Sequence, residues 1–169
     1  GFLVRPGSTA STAFDEESHL NIFFWHFSGV SRTMIEQFRS TRLIIVGVNH
    51  ISRQLAHSLL ACSHQNFEII DEPRQRNLDF FDGVGHLNTD KWGSSSDHVT
   101  MWQEKQRALK GDCLIATSDF GGHEALLRWN RLCLKQSLKF MPVALVNLTG
   151  FVGPLVIPGE TACYQCFLS

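Results

Sequence analysis

Cys163 and Cys166 are separated by two residues and follow the turn-forming pair Pro158-Gly159. That spacing is half of a tetrahedral thiolate site for zinc. Zinc takes four ligands, and the sequence runs only to Ser169. The other two are therefore expected from beyond residue 169 or from a second chain; the alternative is a pair of reduced thiols that bind nothing. Two carboxylates also stand where chemistry is done in α/β proteins. Asp71 closes the apolar run Phe67-Glu-Ile-Ile-Asp71, where a ribose-binding acid is expected, or where an acid simply ends a strand and bonds turn amides. Asp119 follows Ile115-Ala-Thr-Ser, as a candidate magnesium ligand or as the N-cap of a helix beginning near Gly121.

A phosphate-binding turn after the first strand needs glycine at three places, for the tight turn, for close approach of phosphate and for helix packing. The loop reads Gly47-Val-Asn49-His-Ile-Ser52, so only the first glycine is present. A side chain at Asn49 is expected to stand in the path of a pyrophosphate, which argues against ATP. Gly47, Asp71 and Asp119 are thus the remaining candidate cofactor-binding residues, and no residue is assigned a catalytic role. Cys62, Cys113 and Cys133 fall on apolar faces and read as core. His50, His57 and His64 recur every seventh residue, which puts them on one polar face of a helix. Trp92 and Trp102 flank a turn-rich loop, as partner anchors or as its cover.

These residues need a scaffold. Leu43-Ile-Ile-Val46 is a continuous apolar run of the kind buried on both faces of a sheet. Ile51, Leu55, Leu59 and Cys62 have helical spacing, and Phe67–Asp71 makes a second strand, which together give a βαβ unit. Beyond it the pattern predicts a polar loop over 82–98, a helix over 99–110 and a strand over 112–117. A helix over 124–137, a strand over 142–147 and a near-edge strand over 151–157 follow. The fold class is α/β: a Rossmann-like, mostly parallel sheet with a C-terminal Cys-x-x-Cys hairpin. Residues 1–40 read as an N-terminal arm with the aromatic cluster Ile22-Phe-Phe-Trp-His-Phe27, and residues 41–169 as the Rossmann-type domain.

The chain has 169 residues, enough for one full core, with 43% apolar and 18% charged residues. A net charge of −1 gives no sign of nucleic acid, and no apolar run is long enough to span a membrane. Five cysteines, an odd number, suit a reducing compartment, so the expected location is the cytoplasm.

Taken together, the Gly47 turn, Asp71, Asp119, the run Arg128-Trp-Asn130-Arg-Leu-Cys133 and the closing Thr161-Ala-Cys-Tyr-Gln-Cys166 resemble the ubiquitin-activating-enzyme superfamily of ThiF and MoeB type. The segment Leu148–Cys166 looks most like its degenerate branch, the ThiF-like partners of cyclodehydratases in thiazole/oxazole-modified microcin biosynthesis. The resemblance covers roughly residues 20 to 169, strong over 112–169, fair over 42–71 and poor over 72–111. In active members, the aspartate that Asp119 matches positions magnesium and ATP, with an intact glycine loop and an arginine after a Ser-Asn-Leu segment. Here Asn77-Leu78 is followed by Asp79-Phe80-Phe81 instead. The resemblance therefore implies a non-catalytic scaffold that binds or presents a precursor leader peptide to a YcaO-type ATP-dependent cyclodehydratase. It also implies a structural zinc and a homodimer. In that branch the leader is usually held by a recognition domain ahead of the ThiF-like fold, of which residues 1–5 would be the tail. The alternative is an ATP-dependent adenylating enzyme acting on a peptide or protein C-terminus. A nicotinamide-dependent oxidoreductase ranks below both, because it leaves the cysteine pair unexplained.

Overall fold

The computed structural model describes residues 32–102 and 109–169; the aromatic cluster of the N-terminal arm lies outside them. Helix α1, Arg32–Ser40, leads into strand β1, Leu43–Val46, in which Ile44, Ile45 and Val46 have no exposed surface. Burial on both faces is what a run of branched apolar residues favours, since either pleat must meet a hydrophobic layer. Helix α2, His50–Ala61, then returns the chain to strand β2, Phe67–Asp71, parallel to β1.

The link from β2 onward contains 3-10 turns at Pro73–Gln75, Leu78–Phe80 and Ser96–His98, and the short helix α3, Thr89–Trp92. It ends in strand β3, Val99–Met101, parallel to β2. The helix expected from residue 99 is therefore a strand at its start: Val99 and Thr100 take their register from Ile69 and Ile70 on the neighbouring strand, a pairing no local pattern reveals. Residues 103–108 of that expectation lie outside the described chain. Strand β4, Cys113–Ser118, joins the other side of β1; helix α4, His123–Lys135, follows; strand β5, Lys139–Val146, runs parallel to β4. Strand β6, Thr149–Val152, turns back antiparallel, giving the sheet order β3-β2-β1-β4-β5-β6. The expected edge strand over 151–157 is thus shorter and earlier, with Val156 making only an isolated bridge to Phe140.

Two hydrophobic layers sandwich this sheet. Ile44, Val46, Leu114, Ala116 and Phe140 face Leu126, Trp129 and Cys133 of α4. Ile45, Val48, Phe67 and Ile69 face Ala56 and Leu59 of α2, with Phe80 and Trp92. Trp92 is wholly buried, so it is core and not a partner anchor. His64 lies beyond α2 and is also wholly buried, against Phe38 at 4.8 Å between ring centroids, so the three-histidine polar face does not exist. Cys133 is fully buried as expected, whereas Cys62 and Cys113 are only partly so. The C-terminus is not a hairpin: Tyr164–Leu168 form a short helix, α5, with Cys163 at its N-cap. No helix among the described residues is long and apolar enough to cross a membrane.

Candidate functional site

In a sheet of this order the chain leaves β1 toward one face and β4 toward the other, opening a crevice at their carboxyl ends. That crevice is an open depression of about 650 Å³, with His50, Gln54, Ser58, Asn77 and Asp119 as its polar groups and Ile51, Leu55 and Leu145 as its apolar ones. Asp119 lines it, and Gly47 lies at the end of β1 beside Thr117 and Asn49. Gly47 has φ +101°, and a Cβ on it would lie 2.8 Å from the Thr117 carbonyl oxygen, so glycine is required by both backbone and space.

The first turn of α2 forms the floor of the crevice. A helix start normally offers free N–H groups and the positive end of the helix dipole to an anion. Here every one of those donors is taken. The Asn49 N–H bonds Ser52 Oγ at 3.0 Å, and the Ile51 and Ser52 N–H groups both bond Asn49 Oδ1 at 3.1 Å. The His50 N–H bonds Asp119 Oδ2 at 3.2 Å, and that oxygen also accepts from Asn77 Nδ2 at 2.8 Å. Asp119 is therefore not the N-cap of its own helix, whose cap is Gly122 with no side-chain bond. It reaches across the sheet to cap α2. Its Oδ1 is buried and has no protein partner.

Asn49 does not project into the path of a phosphate, as its position suggested. Its side chain is wholly buried and turned inward, where Nδ2 lies 2.9 Å from Thr117 Oγ1 and 3.3 Å from the Gln75 carbonyl oxygen. Gln75 Nε2 donates to the Thr117 carbonyl at 3.0 Å, Trp129 Nε1 donates to Gln75 Oε1 at 2.8 Å, and Thr117 Oγ1 donates to the Val46 carbonyl at 2.8 Å. This buried polar chain ties β1, β4, α2, α4 and the 73–75 turn together beneath the crevice. Asp71 stands apart from it. Both its oxygens are held by Arg76, through Nε and Nη2 at 2.6 Å each, and the Arg76 guanidinium lies over the Phe81 ring. Arg76 is held above its ordinary pKa, first by its bond to Asp71.

The amides at the start of α2 are occupied and a carboxylate sits on that helix end, while both oxygens of Asp71 are taken by a bidentate arginine. Gln75 and Arg76 are the candidate-site residues that sequence reasoning passed over, and Asn77 entered it only through the Asn77-Leu78 segment, not as a partner of Asp119. The pattern Asn49-x-x-Ser52 ahead of a helical run is a capping-box signature and was the available signal. The three others depend on long-range contacts.

The cysteine pair lies elsewhere, on a segment packed alongside α4. The Cys163 and Cys166 sulfurs are 3.3 Å apart. Cys163 is drawn below the usual thiol pKa, first by the Cys166 backbone N–H and then by the Cys166 side chain, while Cys166 is raised by the same neighbour. Of the two thiols, Cys163 is the more acidic. Tyr164 fixes the turn: its N–H meets Asn130 Oδ1 at 3.3 Å and its hydroxyl meets His123 Nδ1 at 2.8 Å. Two thiolates on one tetrahedral zinc lie ~3.8 Å apart, which these side chains reach with a small rotation. Among the described residues no group of three or more His, Cys, Asp or Glu is assembled.

No known family pattern matches the sequence, and no curated protein matches it. Solved structures do match in three dimensions. The chain superposes on Escherichia coli MccB with a TM-score of 0.67 at 17% identity, over 94% of this chain and 50% of that one. The microcin C7 biosynthetic enzyme MccB in complex with N-formylated MccA gives 0.69 at 14% identity, over 95% of this chain and 52% of that one. A heterocyclase in complex with substrate and cofactor gives 0.54 at 13% identity, over 95% of this chain and 17% of that one. The chain has the ThiF/MoeB-like Rossmann fold, and it spans about half the length of the MccB chains it matches.

Proposed function

We propose that this chain is a non-catalytic, ThiF-like scaffold of ribosomal peptide natural-product biosynthesis, of the bacteriocin and azoline kind. In this reading it binds or presents the precursor's leader peptide to a YcaO-type ATP-dependent cyclodehydratase, which does the ATP chemistry. The observation that carries the proposal is the self-capped first turn of α2, where Asp119, Asn49 and Ser52 use every donor a phosphate would need. Supporting it, the similar folds include MccB with its peptide MccA and a heterocyclase with its substrate. Cys163 and Cys166 are assigned to a structural zinc completed by donors beyond the described residues. A homodimer is proposed from the resemblance.

A second reading is favoured by one atom. Asp119 Oδ1 is buried without a protein partner, as a magnesium-binding carboxylate oxygen would be before its ion arrives. That reading is the adenylating enzyme. Calorimetric titration of ATP·Mg into the wild type and into Asp119→Ala separates the two. The scaffold reading expects no binding by the wild type and a gain of affinity for ATP in the variant, because removing the carboxylate uncovers the His50 N–H and the positive helix end. Micromolar binding by the wild type that Asp119→Ala abolishes establishes the adenylating enzyme instead.

A further inference from the structure

Helix α4 carries Arg128, Arg131 and Lys135 at positions i, i+3 and i+7, which puts three cations along one side. Two adjoining cavities open on that side. One, about 450 Å³, is lined by Arg74, Glu124, Arg128 and Arg131; the other, about 310 Å³, by Trp102, Arg128, Arg131 and Lys135, among others. Because Arg128 and Arg131 line both, the two form one groove along the helix. Thirteen residues of helix give it a length of ~20 Å, the span of about six residues of extended chain.

The charge in this groove is uneven. Arg128 is paired with the buried Glu72 at 2.8 Å, and Arg131 reaches Gln165 only at 3.4 Å. Arg74, Arg131 and Lys135 are exposed, and none forms an ion pair with a described residue; Glu124 is the acid facing them, at one end. An apolar floor lies beside the cations, where Trp102 meets Trp129 edge to face with ring centroids 4.9 Å apart.

We propose that this groove binds an extended acidic peptide, its carboxylates on Arg74, Arg131 and Lys135 and an apolar side chain against Trp102. The proposal deepens the peptide-binding reading above and rests on it for the source of the peptide, the precursor. Guanidinium groups pair carboxylates through two parallel bonds, and an aromatic wall next to them selects a chain that alternates acid with apolar residue.

The test is fluorescence anisotropy with a labelled peptide of alternating glutamate and leucine, a lysine-leucine peptide and a single-stranded RNA of similar length. Each is titrated with the wild type, Arg131→Glu, Arg74→Glu and, as a control on a distant exposed cation, Lys91→Glu. The expected result is salt-sensitive binding of the acidic peptide only, weakened about tenfold or more by either groove variant and unchanged by Lys91→Glu. Equal affinity in all four proteins, comparable binding of the lysine peptide, or tighter binding of RNA each overturns the proposal. Folding of the variants is checked by circular dichroism, and the exposed position of both arginines keeps the core out of the comparison. The ATP titration reads a different site, so failure here leaves the α2 reading standing, and failure there leaves this groove standing.

Discussion

A carboxylate on the amino end of a helix does internally what a bound phosphate does from outside: it meets the orphan N–H groups and the positive end of the dipole. Asp119 plays that part for α2, with Asn49 and Ser52 supplying the rest of the cap. The resemblance implied a magnesium ligand at this position, and its bonding is that of a structural cap. His64 poses a different problem. Burial holds its pKa below 6.5, against opposing bonds from the Asn66 and Phe38 backbone. The folded protein therefore favours the neutral ring. The stability this ring contributes is complete above pH 6.5 and is lost as pH falls through the lower folded value. Urea midpoints measured across that window are expected to fall with acidification in the wild type. They should fall less steeply in His64→Phe, which keeps an aromatic ring between Phe38 and Phe67 and has no proton to take up.

Elements in this fold are joined by polar bonds beneath the site as much as by apolar packing. Gln75 sits in a three-residue turn that propensity would leave loose, yet it is wholly buried. Its amide bonds Thr117 on β4 and Trp129 on α4, and its carbonyl faces Asn49 at the head of α2. Replacing it by leucine keeps the bulk but leaves the Trp129 N–H without its acceptor in the interior. The expected cost is about 1–3 kcal/mol in urea unfolding, with a change in Trp129 fluorescence as the turn loosens. Trp129→Phe also breaks that bond, but it removes the buried donor as well as the contact and leaves Gln75 Oε1 as the orphan. Unchanged urea stability in Gln75→Leu is inconsistent with Gln75 as the junction of these elements.

Across the whole molecule, burial is concentrated at the centre of the sheet and falls away at one edge. The middle of β1 and most of β4 lie between both layers, whereas all four residues of β6 are exposed, with Val152 at 75%. Cys163 and Cys166 sit at a similar margin, on a five-residue helix held to α4 through Tyr164, His123 and Asn130. Amide exchange by mass spectrometry is expected to give the slowest exchange in peptides covering Ile44–Val46 and Leu114–Thr117, and fast exchange in Thr149–Val152. Uniform protection from β1 to β6 contradicts this picture. It would mean that a further surface covers β6 in solution.

Local pattern determined much of this protein. The apolar run of β1, the helical spacing of α2, the βαβ order and the degraded glycine loop were legible because each expresses itself over a few consecutive residues. Gly47 was legible too, since its positive φ is a property of one residue. Where the side chains go was decided by tertiary contact. Asn49 looked like an obstruction and is a buried cap. Asp119 looked like the start of its own helix and closes another, through a bond to His50 sixty-nine positions away. Asp71 read as a ribose-binding or strand-ending acid and is locked by Arg76. Strand β3 was hidden because its pairing partner is thirty residues distant, at Ile69. A hydrogen bond costs a donor whichever residue supplies the acceptor, and only the folded chain shows which donors are already used.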